Sequence, residues 1–326
     1  MSFQTIDFHV HLLSKDVKFD RLYDRVALAL FGKKLGISYK EAKRNPYQAY
    51  KSALINNIKS SKYIKKIVLF GVDSKIYKNG NFISKDNTVC ASNSELLELY
   101  QENRNIIIPF FSINPNRKDA IEQIRYYHSK GFKGAKFLQN YWGVDTNDKM
   151  YQRYFETLKE LNLPLIIHIG NESSISSYKH LESLSMLKAP LDIGVTTISA
   201  HMAIDYKNII KSLSKNPKNF GNSYFKLIKM LKEYPNLYAD ISSLLTPQRA
   251  KVLPHLSQQK EIHHKLLYGT DFPVPFSTIF TTYDLGFKKR IEIEKEINVF
   301  DRHILAILEY FEKDNPIYRN WEKIII

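Results

Sequence analysis

A chain of 326 residues with 44% hydrophobic and 13% aromatic residues can bury a large core, which excludes a disordered polypeptide. Its single cysteine, Cys90, excludes an intrachain disulfide framework and suits a reducing cytoplasm. The formal charge of +15 comes from lysines spread along the chain among acids, so nucleic-acid binding is not expected, although such a field favours an anionic small substrate.

In chain order, the first apolar run is TIDFHV (5–10), which overlaps DFHVH (7–11). Alternate positions of a strand share a face. Ile6, Phe8 and Val10 are therefore expected to pack against helices, with Asp7, His9 and His11 on the opposite, inward side. Segment 12–64 holds two helical-looking stretches, 21–32 and 47–61, and is long enough to serve as a lid or substrate wall. KIVLFGV (66–72) is the second strand candidate. A small hairpin over about 74–87 follows, turning at Asn79-Gly80.

A Ser-capped helix at 92–104 leads to NIIIPFFSI (105–113), and a helix at 117–131 ending in Gly131 leads to FKGAKFL (132–138). A further helix at 149–162 precedes LPLIIHI (163–169) and GVTTISA (194–200). Another at 223–235 precedes NLYADIS (236–242) and KLLYGTD (265–271), and the last part, 285–326, reads as helical. Eight strand candidates, apolar on both faces and alternating with helices, predict an α/β fold: a (β/α)₈ TIM barrel occupying 1–326 as one domain. An open doubly wound sheet needs a glycine-rich phosphate loop after its first strand, and DFHVHLLSKD has no glycine.

In such a barrel the reactive groups sit at the C-terminal ends of strands. His9 and His11, two positions apart, project two imidazoles side by side, within reach of one ion; zinc takes such ligands at about 2.0–2.1 Å. A His-X-His pair alone also fits chance or a surface hairpin. His168 and His201, however, end the fifth and sixth candidate strands, and Asp271 ends the eighth. Each alone has an ordinary role, a satisfied core histidine or a turn acid. Together they place five ligand-type residues at the same ends of strands, where burial without a cation is costly.

DFHVH (7–11), IIHIG (166–170), SAH (199–201) and GTDFP (269–273), with GFKGAKF (131–137) and NLYADIS (236–242), resemble the amidohydrolase superfamily. The resemblance is closest to its amidohydrolase-related (amidohydrolase 2) branch of metal-dependent TIM-barrel hydrolases and decarboxylases, and covers about residues 5–275. It implies that His9, His11, His168 and Asp271 bind one divalent metal ion, zinc first among them, with His201 at the edge of the ligand set. Binuclear members bridge two ions with a carboxylated lysine on strand four. Lys136 sits near that place, but one ion is preferred, with Lys136 steering a substrate anion or satisfying the barrel interior.

The implied activity is hydrolysis of an amide, ester or lactone bond of a small substrate. Bound zinc lowers the pKa of its water from 15.7 to about 7. Asp271 would act as base and then acid, and His201 would steady the oxyanion or orient the water. The alternative within the same site is nonoxidative decarboxylation of an aromatic or enol carboxylic acid, which calls for an anion clamp. Arg117 and Arg249 are candidates for it, and Tyr141 and Trp142 are placed to stack on a ring. Another class of reading is a catalytically silent metal-binding barrel.

His128, His180, His255, His263, His264 and His303 read as surface or capping residues, and Asp7 as a support for the site. No basic segment leading into an apolar stretch opens the chain, and the apolar runs are too short to span a bilayer. A cytoplasmic protein without a membrane partner is expected, its oligomeric state open, homodimers being common among barrels of this kind.

Overall fold

The computed structural model describes residues 3–19, 22–172, 174–205, 220–282 and 284–325. Eight strands form the frame: β1 (Thr5–His11), β2 (Ile64–Phe70), β3 (Ile107–Pro109), β4 (Ala135–Phe137), β5 (Leu165–Ile167), β6 (Thr197–Ser199), β7 (Leu237–Asp240) and β8 (Leu266–Leu267). β1 to β3 pair in sequence order and so do β4 to β8, all in parallel. Two seams close the ring. Between β3 and β4, Phe111 N donates to Gly134 O and Lys136 N to Phe111 O; between β8 and β1, Phe8 N donates to Tyr268 O and Asp271 N to His9 O. The architecture is a TIM barrel, as the alternation of strands and helices implies.

The ring separates two apolar layers. Inside lie Ile6, Phe8, Val68, Phe70, Phe110, Ile166, Ile198 and Leu267, with Phe8 edge-on to Phe110 at 5.7 Å between ring centroids. Ile324 joins this cluster and Trp321 packs against it, so the C-terminal segment plugs one end of the barrel. Outside, alternate residues such as Val10, Leu69, Phe137 and Ala239 meet the helices.

This arrangement corrects the simple alternation expected for β1. Asp7 pairs with Ile67 and Val10 with Leu69, so three steps on β1 oppose two on β2. The extra residue is a bulge, which shifts the face on which later side chains fall. Ile6 and Phe8 lie inside the barrel rather than against helices, and after the bulge His9 turns inward as well, its ring 4.9 Å from that of Phe70.

Segment 12–64 contains helices over Leu22–Leu35, Tyr39–Arg44 and Pro46–Ser60. The hairpin is present, Lys75–Ile76 pairing antiparallel with Phe82–Ser84. The helix Asn93–Glu102 starts on a Ser92–Glu95 capping box, which satisfies two N-terminal donors. Two histidines assigned to the surface are buried. His303 is 1% exposed with Nδ1 2.9 Å from the Tyr268 hydroxyl, and His263 is 4% exposed between Leu256 O and Asn315. Both fall on inward faces of elements packed on the barrel. No helix among the described residues is long and apolar enough to cross a membrane.

Candidate active site

The site is assembled around His9. Gly269 makes room for it: a Cβ on Gly269 would stand 2.9 Å from His9 Cβ and 3.2 Å from Ser242 Cβ, so only glycine fits there without a shift. His9 Nδ1 lies 2.8 Å from Asp240 Oδ2, which fixes the tautomer with the proton on Nδ1 and leaves Nε2 as a lone pair facing Lys136 and Asp271. The other oxygen of Asp240 accepts from His201 N at 3.0 Å, from Ser242 N at 3.1 Å and from the Ser242 hydroxyl. Because that hydroxyl proton is committed to Asp240, His201 Nδ1, 2.8 Å from Ser242 Oγ, must be the donor. His201 therefore also presents Nε2 as an acceptor.

Two of these residues sit on unusual backbone. His201 has φ 56, and Met202 and Ala203 continue the left-handed turn; Asp271 has φ 69. For residues with a side chain such conformations cost about 1–2 kcal/mol each, and they collect where surrounding structure imposes a functional geometry. Ligand atoms of His9, His201 and Asp271 lie within 4.8 Å of one another. Asp271 Oδ1 is 3.2 Å from His11 Nε2 and 3.5 Å from His9 Nε2. Asp271 Oδ1 and His168 Nε2 are nevertheless buried without a hydrogen bond. Buried polar atoms of this kind call for a missing partner. Imidazole and carboxylate donors with converging lone pairs fit a divalent cation.

Charge in the site follows from burial. Desolvation lowers the pKa of His9, with nearby Lys136 adding to the effect, and desolvation first, with Lys136 and Arg249 adding to it, pushes His168 down to about 4, so both rings are neutral. Burial would raise the carboxyls of Asp240 and Asp271. His9 and then His201 outweigh it at Asp240, as do His201, His11 and His9 at Asp271, and both stay ionised. Lys136, fully buried with Nζ 3.1 Å from His9 Nε2 and 4.8 Å from the centre of the Phe70 ring, is pushed down to about 8 by desolvation. Asp7 accepts from His9 N and from the Thr270 amide and hydroxyl, tying β1 to the loop that carries Asp271. Burial pushes its carboxyl up to about 7.

The residues singled out from sequence divide by position. His9, His201 and Asp271 converge, and His11 stands beside Asp271 with its ring partly open to the cleft. His168 is a neighbour of that group: its ring centroid is 5.2 Å from that of His201, and its Nε2 is 3.6 Å from Glu172 Oε2. Lys136 lies at the floor. Tyr141, Trp142 and Arg117 are engaged elsewhere and none lines the cleft. The Tyr141 hydroxyl accepts from Asp86 N and Cys90, and Trp142 Nε1 donates to Asp73 O. Arg117 holds Asp73 with two hydrogen bonds, at 2.5 and 2.6 Å. Replacing Arg117 by alanine is accordingly expected to lower stability by about 1–3 kcal/mol, read by denaturant titration, and to leave kcat/KM unchanged.

Sequence reasoning did not assign Asp240, Ser242 or Glu172. Asp240 left a signal, an acid inside the apolar run NLYADIS; Glu172, four residues beyond His168, left none that distinguishes it from a loop acid.

The cleft opens above this floor. Leu13, Phe19, Leu28, Leu35 and Ile37 from segment 12–64 form one side, and Pro273, Val274 and Pro275 after β8 form another. Val72, Leu138 and Ile175 contribute from other loops; His11, Lys136, His168, Glu172, His201 and Asp271 contribute the polar part at the floor, and Asp24, Thr88 and Ser174 add polar groups higher up.

Several solved structures share the fold. An uncharacterised TIM-barrel protein from Bordetella bronchiseptica superposes with a TM-score of 0.56 at 16% identity, covering 93% of this chain and 99% of that one. Amidohydrolase 2 from Bifidobacterium longum subsp. infantis gives 0.54 at 14% identity, covering 99% and 98%. An amidohydrolase from Burkholderia multivorans with bound zinc gives 0.53 at 11% identity, covering 98% of each chain. No curated protein matches the sequence. The family model described as amidohydrolase matches residues 6–292, nearly the whole barrel and every residue of the His9–His201–Asp271 group, and the chain therefore belongs to the amidohydrolase family.

Proposed function

We propose that this protein is a metal-dependent hydrolase that cleaves an amide, ester or lactone bond of a small molecule. The observation that carries the reading is the convergence of His9, His201 and Asp271 at the floor of an open cleft, with Asp271 Oδ1 buried and unbonded. These three residues would hold a divalent cation, zinc being the ion bound in the Burkholderia multivorans amidohydrolase. Once bound, such an ion supplies Lewis acidity and an acidified water.

The chain's own groups account for the rest. Asp240 keeps the lone pairs of His9 and His201 turned to the floor. Asp271, ionised and at the mouth of β8, takes the proton of the attacking water and returns it to the leaving group. Lys136 Nζ, beside His9 Nε2 in a dry setting, donates to the oxygen on which negative charge develops. Decarboxylation finds less support, because the arginines proposed as its clamp are occupied. Arg117 binds Asp73, and Arg249 donates to Ser243 Oγ and Asn171 O.

The test is metal content together with turnover. Purified protein should carry a divalent ion and hydrolyse members of a panel of esters, lactones and amides. Chelation should abolish turnover and lower the thermal midpoint, since an ion a thousandfold above its Kd stabilises by about 4 kcal/mol. Protein that retains no ion and hydrolyses nothing in metal-supplemented buffer overturns the proposal.

A further inference from the structure

We infer that the cleft takes a neutral molecule with an apolar body, whose hydrolysable carbonyl reaches the floor and whose tail runs along the wall built by segment 12–64; this rests on the cleft being the substrate site proposed above. The wall from that segment is formed by the apolar Leu13, Phe19, Leu28, Leu35 and Ile37 with Asp24 as its one polar member, and the facing loop presents Pro273, Val274 and Pro275. None of the apolar members can hydrogen-bond a substrate through its side chain. Leu28 and Leu35 stand seven positions apart on the helix Leu22–Leu35, two turns along one face, so both turn an apolar side chain to the cleft, with Asp24 one turn before Leu28.

The protein's charge of +15 would suggest an anionic substrate, but the cleft does not present that charge. Among the described lining residues Lys136 is the only lysine or arginine, and it is fully buried against His9 at the floor. The carboxylates of Asp24 and Glu172 are also in the lining, which disfavours a second negative charge on the ligand. A carboxylate on the tail would have to leave water for a wall with no cation to receive it, the Thr88 and Ser174 hydroxyls being the neutral donors elsewhere in the lining. A methylene chain would instead lose water contact at every carbon.

The test separates tail recognition from hydrolysis. Metal-replete protein is titrated calorimetrically with butanamide, hexanamide and octanamide, and with the eight-carbon amide carrying a carboxylate at its far end. Turnover of the matching 4-nitrophenyl esters is measured in parallel. Binding should tighten by up to about fourfold for each added methylene that reaches the wall. The tail carboxylate should weaken it at least tenfold relative to octanamide. Leu28→Ala should flatten the chain-length gradient, and Leu28→Arg should restore binding of the tail carboxylate. Leu28 is partly exposed, so both variants should fold, which their melting curves check.

A gradient without ester turnover upholds the inference while overturning the hydrolase reading. A flat gradient, tail-carboxylate binding equal to or tighter than that of octanamide, or binding of none of these probes overturns the inference, whether or not the esters are hydrolysed.

Discussion

Asp271→Asn is expected to lower kcat by a factor of about 10²–10⁴, the range a positioned acid–base group supplies, while leaving the barrel folded. The substitution is chosen because it changes charge and little else. Asparagine matches the shape of aspartate and tolerates φ 69 better than most residues with a side chain. The backbone bonds made at this position, Asp271 N to His9 O and Val274 N to Asp271 O, do not involve the side chain. What is lost is an ionised oxygen 3.2 Å from His11 Nε2 and 3.5 Å from His9 Nε2, together with its capacity to carry a proton. The thermal midpoint should fall, because His201, His11 and His9 outweigh the cost of burying this carboxylate and that net gain is lost with the charge. Wild-type turnover in the folded variant would remove Asp271 from the chemistry.

The barrel was legible in sequence because its signal is repeated. Eight apolar runs separated by helical periods leave few folds to choose from, and DFHVH, SAH and GTDFP mark ends of strands where polar groups have no other reason to stand. What sequence alternation misread is local. The bulge between Asp7 and Val10 adds one residue to β1, and nothing in the pattern of TIDFHV reveals that Ile6 and Phe8 face the interior while Val10 faces the helices. A one-residue offset of pairing depends on the neighbouring strand, not on the strand itself.

The site shows the same division. Residues with a chemically distinctive side chain at a strand end could be found, but how near each comes to the others could not. His201 owes its place in the central group to a left-handed turn of which SAHMA gives no sign, whereas His168 faces Glu172 across 3.6 Å. Arg117, Tyr141 and Trp142 follow strands as rim residues should, yet Asp73, Asp86 and Cys90 claim their polar atoms. Those partners come from a different βα loop, so the competition is tertiary and has no local trace.

Asp240→Asn should weaken metal binding by about 10–100-fold through a proton on the wrong nitrogen. In the native protein the carboxylate accepts on both oxygens: His9 Nδ1 at 2.8 Å on one, His201 N and Ser242 N on the other. An asparagine can keep its oxygen on the two backbone amides and the Ser242 hydroxyl, which leaves its NH₂ group facing His9 Nδ1. Two donors cannot share that contact, so His9 must accept there and carry its proton on Nε2, the nitrogen that faces Asp271 and Lys136. The lone pair available for a cation is lost while the ring stays in place. A merely structural role for Asp240 would predict a drop in melting temperature with unchanged metal affinity in the folded fraction. Competition against a chelator of known affinity separates the two outcomes, and excess metal should restore much of the activity of Asp240→Asn but not that of Asp271→Asn. Equal metal affinity in wild type and Asp240→Asn would show that Asp240 does not set the tautomer of His9.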